Sequence, residues 1–464
     1  MLGVLQKGAG MDGMLAAESD RVRLTAMVAA GEAARAEPLL RELHAREGVR
    51  LWSANLLAVC LRQQRRFDEA IPLYRRLLNE VPGEGALWGN LANALTDSLR
   101  WNEALAVHRR ALSLSPDSAD GWASYGRTLA RLGKGPEARE AFRKALSIGH
   151  GNPAQVEWDI CLTWLVEGDY AKGWPLYDRR WSMARSEANP FPGPRWDGTP
   201  APGATLYLHS EQGFGDTIQC LRYLSLAAAR VGRIVLAIQP PLHRLAKEIA
   251  PEGTVILPRG SQPEPGWLIG SMLDLPRLFT ASPDAVPCGD GYLRAPAEAR
   301  EKMAKILPPR GDGPLRVGIV WSGSLTFQHN DVRRARLPDF VAAFAQPGVQ
   351  LYSLQKGPPE ADLAALSGAP VIDLAPHLDD FADTAAACEA LDLVIMTDSA
   401  VAHLCGALNR PVWVLMGPLL HWPWGKESES TPWYRSVKLI RQPAPGCWAP
   451  VFDRAAAALA ESRS

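Results

Sequence analysis

Residues 85–118 read GALWGNLANALTDSLRWNEALAVHRRALSLSPDS, and residues 119–152 read ADGWASYGRTLARLGKGPEAREAFRKALSIGHGN. Set one above the other, Trp88 aligns with Trp122, Leu91 with Tyr125, Ala92 with Gly126, Ala104 with Ala138 and Ala111 with Ala145, a period of 34 residues. One period upstream, Ala58, Ala70 and Leu77 fall in the same columns, Phe67 under Trp101 and Pro82 under Pro116. A further period upstream leaves only Ala36 and Leu43, and downstream a partial copy runs through Glu167-Gly168-Asp169-Tyr170 to Trp181. Self-similarity at this spacing marks a repeat architecture built from one supersecondary unit. Residues 103–114 carry apolar side chains at helical spacing. Small residues in fixed columns let paired helices cross closely, and large ones fill the gaps between pairs. Pro82 and Pro116 end one helix and turn the chain into the next copy.

This pattern resembles the tetratricopeptide repeat, and it predicts a helical solenoid over residues 17–186 after a disordered start at 1–16. The function it predicts is a concave surface that binds a protein or peptide, with a packing or dimerisation platform as the alternative. The repeated tryptophans read as helix-packing residues.

The remaining composition narrows the function classes. The chain has 464 residues, enough for about three domain-sized units. Lys+Arg and Asp+Glu are each 50, so no basic footprint points to nucleic acid or an anionic membrane surface. Seven scattered cysteines without a CxxC pair argue against a disulfide framework or a cysteine zinc site, and for buried thiols in a reducing compartment. No signal peptide and no apolar stretch long enough to span a bilayer are read, so a cytoplasmic location is expected. Sixteen tryptophans outnumber both tyrosine and phenylalanine.

Residues 187–203 (EANPFPGPRWDGTPAPG) form a proline- and glycine-rich connector, with Trp196 expected to anchor it. Beyond it, strand and helix alternate in two series. The first, residues 204–307, has strands at 204–209, 233–239 and 254–258. The second, residues 313–464, has strands at 316–322, 349–355, 371–374, 393–397 and 412–416. Two such series predict two doubly wound parallel sheets with a cleft between them, so the fold class is an α-solenoid followed by paired α/β domains.

Four motifs fall at strand ends. Ser210-Glu211-Gln212-Gly213-Phe214-Gly215-Asp216 is a strand-to-helix turn whose glycines, Gly213 and Gly215, would let backbone N–H groups approach an anion; Asp216 as a plain helix cap is equally compatible. Met396–Leu404 delivers Asp398 and Ser399 to a strand edge just before a helix, with His403 one turn further on. Asp398 suits a ribose or sugar hydroxyl, and Ser399 with the first helical N–H groups suits a diphosphate. Simple capping and a core histidine are the bland equivalents. Trp321-Ser322-Gly323-Ser324, followed by His329, Arg333, Arg334 and Arg336, suits a pyrophosphate through one arginine that the sequence does not single out. Gln355-Lys356-Gly357 ends another strand on the same rim. A cluster from Trp413 to Trp448 is mainly packing, with Trp422 and Trp424 the candidates for ligand contact.

Together these motifs resemble the glycosyltransferase B fold, and most closely the heptosyltransferase-like glycosyltransferase family 9, over residues 204–450. The resemblance implies Asp216 as catalytic base. It also implies Gly213, Gly215, Trp321, Ser322, Arg333, Arg334, Arg336, Gln355, Lys356, Asp398, Ser399, Ala400 and His403 as donor-binding positions. It implies an inverting transfer from a nucleotide-sugar co-substrate to a hydroxyl acceptor, without a metal or other cofactor, in a bacterial protein whose repeats present a protein acceptor. Two departures stand out: Ala400 occupies a position where the family usually has glycine, and the family's phosphate-binding lysine has no clear counterpart. The alternatives are a repeat scaffold with a degenerate transferase domain, or a transferase acting on glycans or lipids.

Overall fold

The computed structural model describes residues 11–183, 191–309, 311–325, 327, 330–366 and 368–462. The chain divides into two compact units, Met1–Val156 and Glu157–Ser464.

The first unit is four successive helix pairs: Met11–Ala29 with Ala33–Glu47, Leu51–Gln63 with Phe67–Glu80, Gly85–Asp97 with Trp101–Leu114, and Ala119–Arg131 with Gly135–Ile148. The small-residue columns lie where the helices cross. Ala58, Ala70, Ala92, Ala104 and Ala138 are all fully buried. A methyl group on Gly126 would come within 2.6 Å of the Phe142 ring. The repeated tryptophans have a repeated partner: the Trp88 indole donates to the Pro82 carbonyl at 3.0 Å, and Trp122 donates to Pro116 at 2.8 Å. The first helix starts at Met11, inside the stretch expected to be disordered.

A further column emerges from the backbone. Gly31, Arg65, Leu99 and Gly133 are left-handed, with φ of 83°, 62°, 66° and 70°. Each closes the first helix of its pair with the same two hydrogen bonds, as in Gly133 N–H to Ala130 O and Lys134 N–H to Leu129 O. The sequence hid this column because two of its members are not glycine. Left-handed backbone costs an ordinary residue about 1–2 kcal/mol. Arg65→Gly is therefore expected to raise the repeat unit's melting temperature, and Gly133→Ala to lower it by an amount matching about 1 kcal/mol. Thermal unfolding followed by circular dichroism checks both signs.

The second unit carries two parallel sheets. The first contains β1 (Ala201–His209), β2 (Val231–Ile238), β3 (Val255–Pro258) and β4 (Leu268–Ser271), in the order β3-β2-β1-β4. The second contains β5 (Leu315–Val320), β6 (Val349–Ser353), β7 (Val371–Asp373), β8 (Leu393–Thr397), β9 (Val412–Met416) and β10 (Val437–Arg441), in the order β10-β9-β8-β5-β6-β7. β8 is buried along its whole length, as expected for a strand covered on both faces. The strand order reverses between β1 and β4 in one sheet and between β5 and β8 in the other. The crevice beyond the carboxyl ends of such strands is where ligands bind in open α/β sheets.

Several expectations are corrected. β4 and β10 are strands beyond those the sequence predicts. Two short helices, Phe214–Leu221 and Leu224–Ala228, follow β1. β1 starts at Ala201, inside the expected connector, whose residues 187–190 lie outside the described ones. Trp196 does anchor the connector: it is 2% exposed and its backbone N–H donates to Ile269 O at 2.8 Å. The array was expected to run to residue 186, but the divide between units falls within helix Pro153–Val166. The reason is packing. Tyr170, Trp174 and Tyr177 share one apolar core with Trp422, Trp433 and the sheet residues, and the Trp174 indole donates to Thr280 O at 2.6 Å.

Candidate functional site

The site forms where helix Phe214–Leu221, following β1, packs against helix Ala400–Ala407, following β8. Gly215 makes this approach possible. A methyl group there would lie 2.8 Å from His403 Cδ2 and 3.4 Å from Ala400 Cα. The glycine is thus required by a close helix crossing. Gly213 has φ −74° and ψ 175°, an extended backbone open to any residue.

Asp216 sits in the first turn of its helix, and its Oδ2 accepts the Gly213 N–H at 3.1 Å. Removal from water pushes its carboxyl up to about 6; Asp398 reinforces the shift and Arg333 opposes it. Asp216 is therefore ionised at neutral pH yet basic enough to take a proton, as a general base should be.

Asp398 is 6% exposed, and both its oxygens are engaged. Oδ1 accepts the Trp424 indole N–H at 3.0 Å, and Oδ2 pairs with the Arg333 guanidinium. Burial alone would raise this carboxyl, but Arg333 and the Trp424 hydrogen bond hold it below the usual carboxylate value. Asp398 therefore positions Arg333 instead of presenting free oxygens to a hydroxyl. Ser399 precedes helix Ala400–Ala407 with φ −153° and ψ 179°, and its side chain makes no capping hydrogen bond. His403 is 5% exposed; burial pushes its imidazole down to about 3 against the pull of Asp398, so it is neutral at physiological pH. Its ring lies 4.7 Å from that of Trp424, and its Nδ1 lies 2.9 Å from the Tyr434 hydroxyl.

The motif after β5 is a braced loop. Gln355 Oε1 accepts the backbone N–H groups of Trp321 and Ser322 at 3.1 and 3.0 Å, and its Nε2 donates to the Ser322 and Lys356 carbonyls. Asn330, in the same loop, donates to Ser322 Oγ at 3.0 Å and accepts from Gly323 N–H at 3.2 Å. Trp321 is 1% exposed, and its indole donates to Asp362. Trp321 and Gln355 thus shape the loop through contacts inside the protein. Lys356 is half-exposed and donates to Ala375 O at 2.9 Å.

The three arginines separate clearly. Arg333 reaches the site through Asp398, and its guanidinium lies 4.7 Å from the Phe327 ring centre. Arg334 and Arg336 are exposed, and Arg336 pairs with Asp339 at 2.7 Å. Both line a depression of about 370 Å³ with Trp321, Ser322, Leu337 and Asp362, and neither Asp216 nor His403 reaches it. His329 lies outside the described residues.

Trp422 and Trp424 were the candidates for stacking on a ligand, and neither presents an open face. Trp424 is fully buried on Asp398 and His403, and Trp422 packs 5.6 Å from Trp174 and 5.0 Å from Trp433. Their neighbour His421 was missed. Its Nδ1 is buried without a described hydrogen bond, and burial pushes it down to about 4 while Asp398 pulls the other way. Among the described residues, no group of three or more His, Cys, Asp and Glu is placed to hold a metal ion, and no helix is long and apolar enough to cross a membrane.

The family profile described as "Tetratricopeptide repeat" matches residues 24–85 and 90–153, so the helix pairs of the first unit are tetratricopeptide repeats. Protein FlbA of Caulobacter vibrioides is 31% identical over 334 residues, 64% of this chain and 53% of that protein. The chain therefore spans about half the length of this curated relative. The matched span exceeds the 156 residues of the repeat unit and so takes in part of the sheet-bearing unit. Among solved structures, a thermophilic TPR protein of Thermus thermophilus shares 16% identity with a TM-score of 0.34, over 37% of this chain and 92% of that one. A structure titled for Pseudomonas aeruginosa pilF shares 20% identity with a TM-score of 0.31, over 35% of this chain and 73% of that one.

Proposed function

We propose that residues 157–464 form an inverting glycosyltransferase of the two-sheet kind, and that the tetratricopeptide repeats bring it a protein acceptor. The observation that carries this reading is the meeting of Asp216, raised to about 6 at the end of one sheet, with Arg333, Asp398, His403 and an uncapped helix N-terminus at the end of the other. Asp216 takes the proton from an acceptor hydroxyl as its oxygen attacks the donor's anomeric carbon. The nucleoside diphosphate leaves from the opposite face. Its growing charge falls on the first N–H groups of helix Ala400–Ala407 and on Arg333, which Asp398 holds in place. Ser322 and Gly323 stand beside this helix start: a methyl group on Gly323 would lie 3.7 Å from Ser399 Cβ. In this reading a guanidinium and backbone dipoles carry the diphosphate, and the reaction belongs to the bacterial cytoplasm.

A second reading has its own support. Asp398 spends both oxygens inside the protein, which suits a repeat scaffold whose sheet unit has lost its donor. A thermal-shift screen with UDP, ADP, GDP and CDP separates the two. Under the transferase reading, one nucleotide at about 100 times its dissociation constant stabilises the protein by about 2.7 kcal/mol. Arg333→Ala abolishes that gain. Stabilisation by none of the four supports the scaffold.

A further inference from the structure

The turn that leads to Asp216 is held from the side. Sheet pairing sets this up: β2 lies beside β1, and the pairing continues past His209, where the Ser210 N–H donates to Ala237 O at 3.0 Å. Gln239, the residue after β2, therefore comes level with the turn that follows β1. Gln239 is 8% exposed and Thr217 is 2% exposed. Gln239 Nε2 donates to Gln212 O at 2.9 Å, and its Oε1 accepts from Thr217 Oγ1 at 3.0 Å. A carbonyl only accepts, so the amide nitrogen must face Gln212, which leaves the amide oxygen for Thr217. The Thr217 hydroxyl has a second acceptor, Gly213 O, at 3.3 Å. One side chain thus grips the chain just before Gly213 and just after Asp216. Arg259, beyond the end of β3, adds a hold upstream by donating to Glu211 O at 2.8 Å.

The second sheet repeats the device. Gln355, beyond the end of β6, ties its amide to the turn that follows β5, the strand paired with β6. In each sheet a buried glutamine after the second strand holds the turn after the first.

We infer that Gln239 is the positioning residue of Asp216, holding the turn on both sides of that carboxyl and so keeping it at the crossing with helix Ala400–Ala407. The position must donate at one end and accept at the other. An ionised glutamate cannot donate to Gln212 O, and a methionine, of similar length, can do neither. The hold acts against ionisation. While the turn is fixed, Asp216 ionises away from water and against Asp398, with the Gly213 N–H and Arg333 in support. Once the turn is released, the ionised carboxyl can swing into water, which favours the charged form. This deepens the transferase reading and rests on it for one point alone, that the base so poised acts on an acceptor hydroxyl.

The test uses the full chain labelled with 13C-aspartate, the Asp216 carboxyl being assigned by its loss in Asp216→Asn and titrated by NMR. A midpoint of about 6 is expected in the unsubstituted protein. Gln239→Met should raise the acid dissociation constant of Asp216 about tenfold, the worth of the two hydrogen bonds lost. Thr217→Val should shift it the same way by less, and Thr217→Ser, which keeps the hydroxyl, should leave it in place. An unchanged midpoint in a folded Gln239→Met overturns the inference, even if that variant melts earlier. Should Gln239→Met fail to fold, equal midpoints in Thr217→Val and Thr217→Ser overturn it. Stabilisation by none of the four nucleotides in the screen above removes the transferase reading and leaves the positioning of Asp216 standing.

Discussion

Under the proposed transferase reading, Asp216→Asn is expected to stop sugar transfer while making the sheet unit more stable at neutral pH. Removing a positioned general base costs about 10²–10⁴ in rate, and the asparagine oxygen can still accept the Gly213 N–H, so the helix start survives. The stability gain follows from proton counting. An unfolded aspartate ionises near pH 4, whereas the folded Asp216 does so at about 6. Between those values the folded state holds more protons than the unfolded one, so stability falls as the pH rises through this window. The loss is complete above about pH 7 and amounts to about 1–3 kcal/mol, the lower part of that range allowing for partial solvent access. Asparagine has no such loss. Melting curves of the two proteins should therefore diverge at pH 7.5 and converge near pH 4. On the same reading, the transfer rate of the unsubstituted protein at limiting substrate should rise with pH through about 6. A variant that still transfers sugar at an undiminished rate would remove Asp216 from the mechanism. Equal stability of the two proteins at pH 7.5 would show that the carboxyl is not buried at a cost.

The repeats were legible because one physical demand recurs at one spacing: a small residue wherever two helices cross. Ala92, Ala104, Gly126 and Ala138 carry that signal openly, whereas Arg65 and Leu99 hide the left-handed turn because tertiary packing overrides their backbone preference. The strands fully covered by helices, such as Leu393–Thr397, read as apolar runs with the right ends. β4 and β10 did not. LIGS is short and follows a proline-rich stretch, and VKLIR alternates so that it looks like a surface segment. The candidate site was legible in its strand-end members, Asp216, Asp398 and His403, because a short motif places each of them. The partners that set their behaviour come from distant segments. Tyr434, whose hydroxyl meets His403, has no motif of its own; only folding brings it to the site. For the same reason Trp424 read as a stacking surface, although it is a buried hydrogen-bond donor to Asp398.

Arg180→Met is expected to cost the sheet unit about 3–5 kcal/mol, the usual result of stranding buried carboxylates. Arg180 and Asp274 are each 2% exposed and Glu211 is 8% exposed. The guanidinium pairs with Glu211 Oε1 at 2.8 Å and Asp274 Oδ1 at 2.6 Å, and it lies 4.6 Å from the Tyr177 ring centre. These carboxylates raise its basicity further, so it stays charged throughout the working pH range. Glu211 also takes the Ser271 hydroxyl, which ties the end of β4 to the loop leading to Asp216. Without Arg180, Glu211 loses its cation, and Asp274 keeps only Arg195, 3.0 Å away and 30% exposed. The neighbouring Arg179 is the internal control. It also pairs with a carboxylate, Glu157 at 2.7 Å, but its side chain is 49% exposed. Arg179→Met should cost at most about 1 kcal/mol. Urea unfolding followed by tryptophan fluorescence measures both. If the two variants unfold at the same urea concentration at pH 7.5, the buried cluster does not hold the loop of Asp216 in place.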